Sequence, residues 1–320
     1  MTEPTSEVSL RNGRRLRAWI LMSLVIGTGF GWVANHLNWT EPIEQRLWTR
    51  TIPAPVQVLP DSVIGQIELF VLAGQSNMSG RGSLDAQGRT PVPGAYVFGN
   101  DYRWHPAREP IDDTTRQVDL VSRDAVVGVS PARSFAAVLR KARPSRSIGL
   151  IPCAKGGSSI TQWQPSLRET TLYGSCLKRI QAASTVGQVA GILFFQGETD
   201  ALSPETTSQP VVGARWDSSF SALVKRWRSD LKRPNLPVVY AQIGSLDAVS
   251  SQFSGWTAVQ ESQRRLDLLK TQMVVTQGLP LQEDGLHYTT EGYRTIGERM
   301  AKAYLELTTS SASAPSTESP

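Results

Sequence analysis

Five short runs of the chain are apolar at nearly every position: 67–73 (IELFVLA), 147–153 (SIGLIPC), 189–195 (VAGILFF), 236–243 (LPVVYAQI) and 272–278 (QMVVTQG). A strand buried on both faces reads this way, without the alternation of a half-exposed strand. Interleaved with them are stretches of helical period at 132–143, 173–183, 218–231, 258–270 and 291–307. The alternation predicts an α/β protein whose parallel sheet of about five strands carries helices on both faces. Residues 96–100 (YVFGN) offer an extra strand. Residues 101–131 read as a long irregular excursion, and such segments in a compact domain tend to be functional.

The flanks have a different texture. Arg11, Arg14, Arg15 and Arg17 precede residues 18–34 (AWILMSLVIGTGFGWVA), which hold no charge. A basic segment followed by an apolar one predicts an N-terminal membrane anchor, with a cleaved signal as the alternative; in both cases the basic end (1–17) stays in the cytoplasm and the rest is exported. Residues 35–62, broken by prolines, read as a linker, 63–307 as the folded domain, and the Ser/Thr/Pro-rich 308–320 as a disordered tail. The net charge of +5 owes most to those four arginines. The remainder is near neutral and has no basic run, which argues against a nucleic-acid partner. Cys153 and Cys176 are open to two readings, one disulfide or two buried thiols. With His36, His105 and His287 widely separated, they form no zinc pattern, and no metal or cofactor is expected. Oligomeric state is not legible.

Four of the apolar runs are followed by polar clusters: Gln75-Ser76-Asn77, then AKGGSS with Gly156 and Gly157, then Gln196-Gly197-Glu198-Thr199-Asp200, then a segment with Asp284 and His287. In a parallel sheet these clusters share the carboxyl edge, where ligands bind. The chemistry they support is acyl transfer. A serine hydroxyl needs an adjacent base that a third group orients. His287 is the histidine placed for that task, Asp284 is its partner, and Ser76 is the nucleophile. The Ser76 N–H, the N–H of Gly157 or Gly156, and the Gln196 amide are of the right type to receive an oxyanion. Each has a plainer alternative: Ser76 as a helix cap, Asp284-Gly285 as an ordinary turn, Glu198 and Asp200 as a solvated turn or calcium oxygens. Trp163, Trp216 and Trp256 are candidates for stacking on sugar rings, with core packing as the alternative. His105 reads as a loop residue, with a substrate contact as the other option.

Taken together, GQSNMSG (74–80), PCAKGGSSI (152–160) with Trp163 beyond it, FFQGETD (194–200) and DGLHYTTEGY (284–293) resemble the sialate O-acetylesterase and plant/bacterial acetylesterase group of the SGNH hydrolases, the carbohydrate-esterase family six and its relatives. WHPAREP (104–110) resembles that group's Trp-containing segment. The resemblance implies a flavodoxin-like, three-layer α/β/α sandwich and metal-independent removal of acetyl groups from an acetylated carbohydrate. It implies Ser76 as nucleophile, His287 as base and then acid, and Asp284 as its orienting partner. It also implies oxyanion donors at Ser76, a glycine of the Gly156-Gly157 pair and Gln196, and support from Gln75, Asn77 and Glu198. One departure stands out: SPARSFA places Ala132 where the group commonly has a glutamate, removing a carboxylate near the site entrance. Other readings of the same residues are a lipase- or thioesterase-like relative, an acetyl transferase, and a catalytically silent sugar-binding module.

Overall fold

The computed structural model describes residues 59–204, 213–246 and 251–309. Seven strands form one sheet: β1 (Ile67–Gly74), β2 (Ala95–Phe98), β3 (Trp104–Pro106), β4 (Ile148–Pro152), β5 (Gly187–Phe195), β6 (Val238–Ala241) and β7 (Thr271–Val274). They lie in the order β3-β2-β4-β1-β5-β6-β7, every pairing parallel except β2 with β3. The sheet thus has two strands more than the five apolar runs predict. β2 overlaps the extra strand read at 96–100, starting one residue earlier and ending two earlier. β3 lies inside the expected irregular excursion; its three residues make no apolar run of their own, and pairing with β2 is what extends them.

From β1 the chain builds one side of the sheet (β2, β3, β4), then returns across β1 to build the other (β5, β6, β7). β1 is therefore the switch point, where open α/β sheets bind ligands beyond their carboxyl ends. The register makes this concrete. Leu72 stands opposite Pro152 on β4, and Gly74 opposite Phe195 on β5, so three neighbouring strands end at nearly the same level.

The helices are α1 (Ser76–Ser79), α2 (Ala86–Arg89), α3 (Ala132–Ala142), α4 (Leu172–Ala183), α5 (Trp216–Asp230), α6 (Trp256–Arg265) and α7 (Thr290–Thr309). In α3 the buried positions Ala132, Phe135, Ala136 and Leu139 repeat at i, i+3, i+4 and i+7, the stripe a core-facing helix needs. α3 and α7 pack on each other over one face of the sheet, where Phe70 of β1 meets Phe135 and Tyr304 with ring centroids 5.0 and 4.9 Å apart. On the other face Phe194 of β5 meets Trp163, Trp216, Phe220 and Trp227. Each such ring contributes roughly 2–3 kcal/mol through burial.

Trp163 and Trp216 belong to this core and are fully buried, so neither is presented to a sugar. Trp256 is half-buried, with its indole N–H donating to the Gly244 carbonyl at 2.9 Å. Ala132 is fully buried at the start of α3. The helix expected over 258–270 ends at Arg265, because the chain must extend before entering the edge strand β7. At the domain's limits, Leu59 is buried although the sequence places it in the linker, and α7 runs to Thr309, where Arg143 Nη2 donates to Thr308 Oγ1 at 2.6 Å. The apolar segment 18–34 and the tail from 310 lie outside the described residues. Among the described residues no helix is long and apolar enough to cross a membrane.

Cys153 and Cys176 are joined by a disulfide that ties the exit of β4 to α4 across 23 positions. By the chain-entropy relation, closing such a loop stabilises by about 3 kcal/mol. Replacing both cysteines with alanine is expected to lose that amount, read as a lower denaturant midpoint with a larger m-value, because the unfolded chain is no longer cross-linked.

Candidate active site

Ser76 is the first residue of α1, directly after Gly74 and Gln75 turn the chain out of β1. Gln75, not Ser76, holds the N-cap position, and Gln75 makes no side-chain cap bond. The Ser76 hydroxyl is instead 2.8 Å from His287 Nε2. His287 Nδ1 is 2.6 Å from Asp284 Oδ2, while Asp284 Oδ1 accepts the backbone N–H groups of Leu286 and His287 at 3.0 and 2.9 Å. Serine, histidine and aspartate thus stand in one hydrogen-bonded line. Burial raises the Asp284 carboxyl, but donation from the His287 backbone and ring and from the Leu286 N–H outweighs it and holds the group below the ordinary carboxylate range. A carboxylate on Nδ1 fixes the tautomer that leaves Nε2 free to accept from Ser76.

The other strand ends supply the surroundings. After β4, the Lys155 N–H donates to the Gly74 carbonyl at 3.0 Å and Ser158 Oγ to the same oxygen at 3.3 Å, so both flanks of the Gly156-Gly157 pair are tied to the turn that carries Ser76. Gly157 has φ +70°, and a Cβ there would meet nothing within 4 Å, so the turn borders open space. Gly156 is arranged differently: its N–H donates to Asp124 at 2.8 Å and is not available to an oxyanion.

Gln196 is not placed as an oxyanion donor. Its side chain is fully buried, with the amide N–H groups directed to the Ser158 carbonyl at 3.0 Å and to Asp200 Oδ2, and its oxygen accepts from the Trp216 indole at 2.8 Å. It holds the β5 exit against the β4 exit. Glu198 is buried and accepts from Asn77 Nδ2; Asn77 Oδ1 in turn accepts from the Tyr293 hydroxyl at 2.7 Å. Asn77 Nδ2 also lies 3.4 Å from the Leu286 carbonyl, one residue before His287, so this bridge links the turn that carries Ser76 to the histidine loop. Gln75, its amide nitrogen turned inward, donates to Glu198 Oε2 and to the Ser158 carbonyl, both at 3.2 Å. Asp200 is buried as well, accepting the Ile160 N–H at 2.8 Å. Both carboxylates are buried and hydrogen-bonded, so neither is the solvated turn that the sequence left open. His105 sits on β3, paired with Asp101 at 3.0 Å.

Burial pushes Glu198 up to about 7, against Asn77's donation, and Asp200 up to about 6, against the Ile160 N–H and the Gln196 amide. Outside the site, burial also raises Glu109 and Asp112 to about 7. A carboxyl whose folded pKa lies above its unfolded value binds a proton more tightly when folded. Stability from that source is full below the unfolded value and declines as pH rises through the folded one. The melting temperature is therefore expected to be higher at pH 5 than at pH 8, and Glu198→Gln, which keeps an acceptor for Asn77, is expected to flatten that slope. A scan showing the wild-type and variant slopes equal would contradict this account of Glu198.

Comparison with known proteins gives a consistent picture. The family model described as carbohydrate esterase, sialic acid-specific acetylesterase matches residues 66–306. A probable carbohydrate esterase of Arabidopsis thaliana is 31% identical over 255 residues, covering 74% of this chain and 90% of the relative. A crystal structure of an Arabidopsis thaliana protein superposes with a TM-score of 0.62 at 30% identity, over 75% of this chain and 98% of the other. Two solved structures under 25% identical share the fold. One is a carbohydrate acetylesterase from Xanthomonas citri (TM-score 0.54, 20% identity, 76% of this chain and 56% of that one); the other is NanS (TM-score 0.55, 18% identity, 78% and 99%).

Proposed function

The chain belongs to the carbohydrate esterase family of sialic acid-specific acetylesterases, and from that footing we propose that it removes O-acetyl groups from a carbohydrate by a Ser-His-Asp acyl-enzyme mechanism, outside the cytoplasm. As a member it is a carboxylic ester hydrolase acting on carbohydrate acetyl groups. The mechanism rests on one observation, the hydrogen-bonded line from Ser76 Oγ through His287 to Asp284.

In the proposed sequence His287 Nε2 takes the Ser76 proton as Oγ attacks the acetyl carbonyl carbon. The carbonyl oxygen becomes an anion, received by the N–H groups of Ser76 and Gly157, which have no partner among the described residues. His287 passes its proton to the sugar oxygen as the C–O bond breaks, leaving acetyl on Ser76. Water then enters, gives a proton to His287 and attacks the acyl carbon. Collapse releases acetate and returns the proton to Ser76. Asp284 stays ionised throughout and stabilises the imidazolium that forms twice.

A series of 4-nitrophenyl esters of increasing chain length tests acetyl preference. Activity is expected to fall steeply beyond the acetyl and propionyl esters, and a maximum at octanoate would point to the lipase-like alternative.

Export is supported by the basic start and uncharged 18–34 segment, and by a disulfide of the kind that persists in oxidising compartments. The proposal includes retention at the membrane through that segment. Cell fractionation is expected to find the intact chain in the membrane fraction, its domain open to externally added protease once any outer barrier is removed. Recovery in the cytosol would refute this part.

A further inference from the structure

The long segment between β3 and α3 delivers one buried carboxylate to the site, and nothing in the mechanism above uses it. Asp124 is 5% exposed and gathers donors from both loops that frame the reaction. From the nucleophile turn, Ser79 Oγ donates to Asp124 Oδ2 at 2.9 Å and Arg81 Nη2 to the same oxygen at 2.7 Å. From the loop after β4, the Gly156 N–H donates to Oδ1 and Oδ2 at 2.8 and 3.0 Å. Arg81 completes the joint by donating through Nη1 to Ser79 Oγ at 2.7 Å and to the Gly80 carbonyl at 2.9 Å. The segment is itself strapped to the turn by an antiparallel bridge between Gly82 and Val129.

The consequence falls on one N–H group. In the turn 155–158, the Lys155 N–H is fixed on the Gly74 carbonyl, the Gly156 N–H on Asp124 and the Ser158 N–H on the Lys155 carbonyl. Only the Gly157 N–H lacks a partner among the described residues, and a Cβ at Gly157 would point into open space. Gly157 has the turn's positive φ, which glycine adopts without a side-chain penalty, so the hydrogen bonds of its neighbours set where its N–H points. We propose that Asp124 is the positioning residue of the oxyanion hole: by holding the Gly156 N–H against the Ser76 turn it aims the Gly157 N–H at the developing anion. This role rests on the esterase reading above. It predicts a loss confined to the transition state, because a misaimed donor weakens binding of the anion and leaves binding of the neutral ester nearly as it was.

The test measures kcat, KM and melting temperature with 4-nitrophenyl acetate for the wild type, Ser76→Ala, Asp124→Ala, Asp124→Asn and Asp119→Asn. Asp119 comes from the same segment and pairs with buried Arg179 at 2.7 Å, but touches neither loop, so it reports the structural cost of losing an ion pair. Asp124→Ala is expected to lower kcat about 100-fold with KM within about threefold, the signature of a lost oxyanion donor. Asp124→Asn keeps an oxygen for the Gly156 N–H but not the charge for Arg81, and is expected to lie between, at about a 10-fold loss. Asp119→Asn is expected to lower the melting temperature at wild-type kcat. Wild-type kcat in folded Asp124→Ala, a rise in KM at unchanged kcat, or an equal kcat loss in Asp119→Asn would overturn the proposal. Should Asp124→Ala fail to fold, wild-type kcat in Asp124→Asn overturns it as well. A wild type no faster than Ser76→Ala would refute the esterase reading itself, an outcome distinct from all of these.

Discussion

Alanine at Ser76, or at His287, is expected to lower kcat on an acetyl ester by roughly 10³-fold or more, with the melting temperature close to wild type. Ser76 is buried but bonds outward to His287 Nε2 at 2.8 Å, so removing its oxygen takes away the nucleophile and opens no large cavity. Removing the imidazole leaves a hydroxyl with no base, and a serine hydroxyl at neutral pH is a weak nucleophile. The two changes disable one unit, so the double variant is expected to be no slower than the worse single one. Multiplicative losses would mean that the two residues act in separate steps, contrary to the hydrogen bond between them.

Valine at Gly74 is expected to destabilise the domain by about 3–5 kcal/mol, combining backbone strain with overpacking. Gly74 has φ +130°, and a Cβ there would lie 2.1 Å from the Phe195 carbonyl oxygen and 2.7 Å from its carbon. Those atoms are the backbone of β5 at the point where the Gln75 N–H donates to the Phe195 carbonyl at 2.8 Å, so they cannot give way without unpairing the end of the strand. The turn that presents Ser76 is built on this contact. The variant is expected to lose activity through its fold, with a lowered denaturant midpoint, where Ser76→Ala keeps the fold and loses the chemistry. Wild-type stability in Gly74→Val would show that the approach of β1 to β5 has slack.

The central strands were legible because burial on both faces imposes continuous apolar runs, and the clusters at their carboxyl ends led to Ser76, Asp284 and His287. What stayed hidden depends on tertiary partners. β3 exists because β2 offers it a ladder, not because WHP favours extension. The side chain of Gln196 has the chemistry of an oxyanion donor, yet Asp200, the Ser158 carbonyl and Trp216 claim it, and the last two lie 38 and 20 positions away. Trp163 and Trp216 have the surface to stack on a sugar, but their neighbours turn out to be Phe194, Phe220 and Trp227. Asp124 carries no local signal at all: it lies in an irregular stretch between Arg123 and Ala125, and only the folded chain brings it to Gly156, 32 positions away. The one hint was the length of the segment that contains it.

Whether Ser76 drives deacetylation of a carbohydrate is read from acetate released from O-acetylated saccharides, neutral and acidic, by the wild type and Ser76→Ala side by side. Acetate is expected from at least one of them with the wild type, and release at the background rate with Ser76→Ala. Acetate release that survives Ser76→Ala, or none from any acetylated saccharide while the wild type cleaves longer acyl esters, would contradict that role for Ser76.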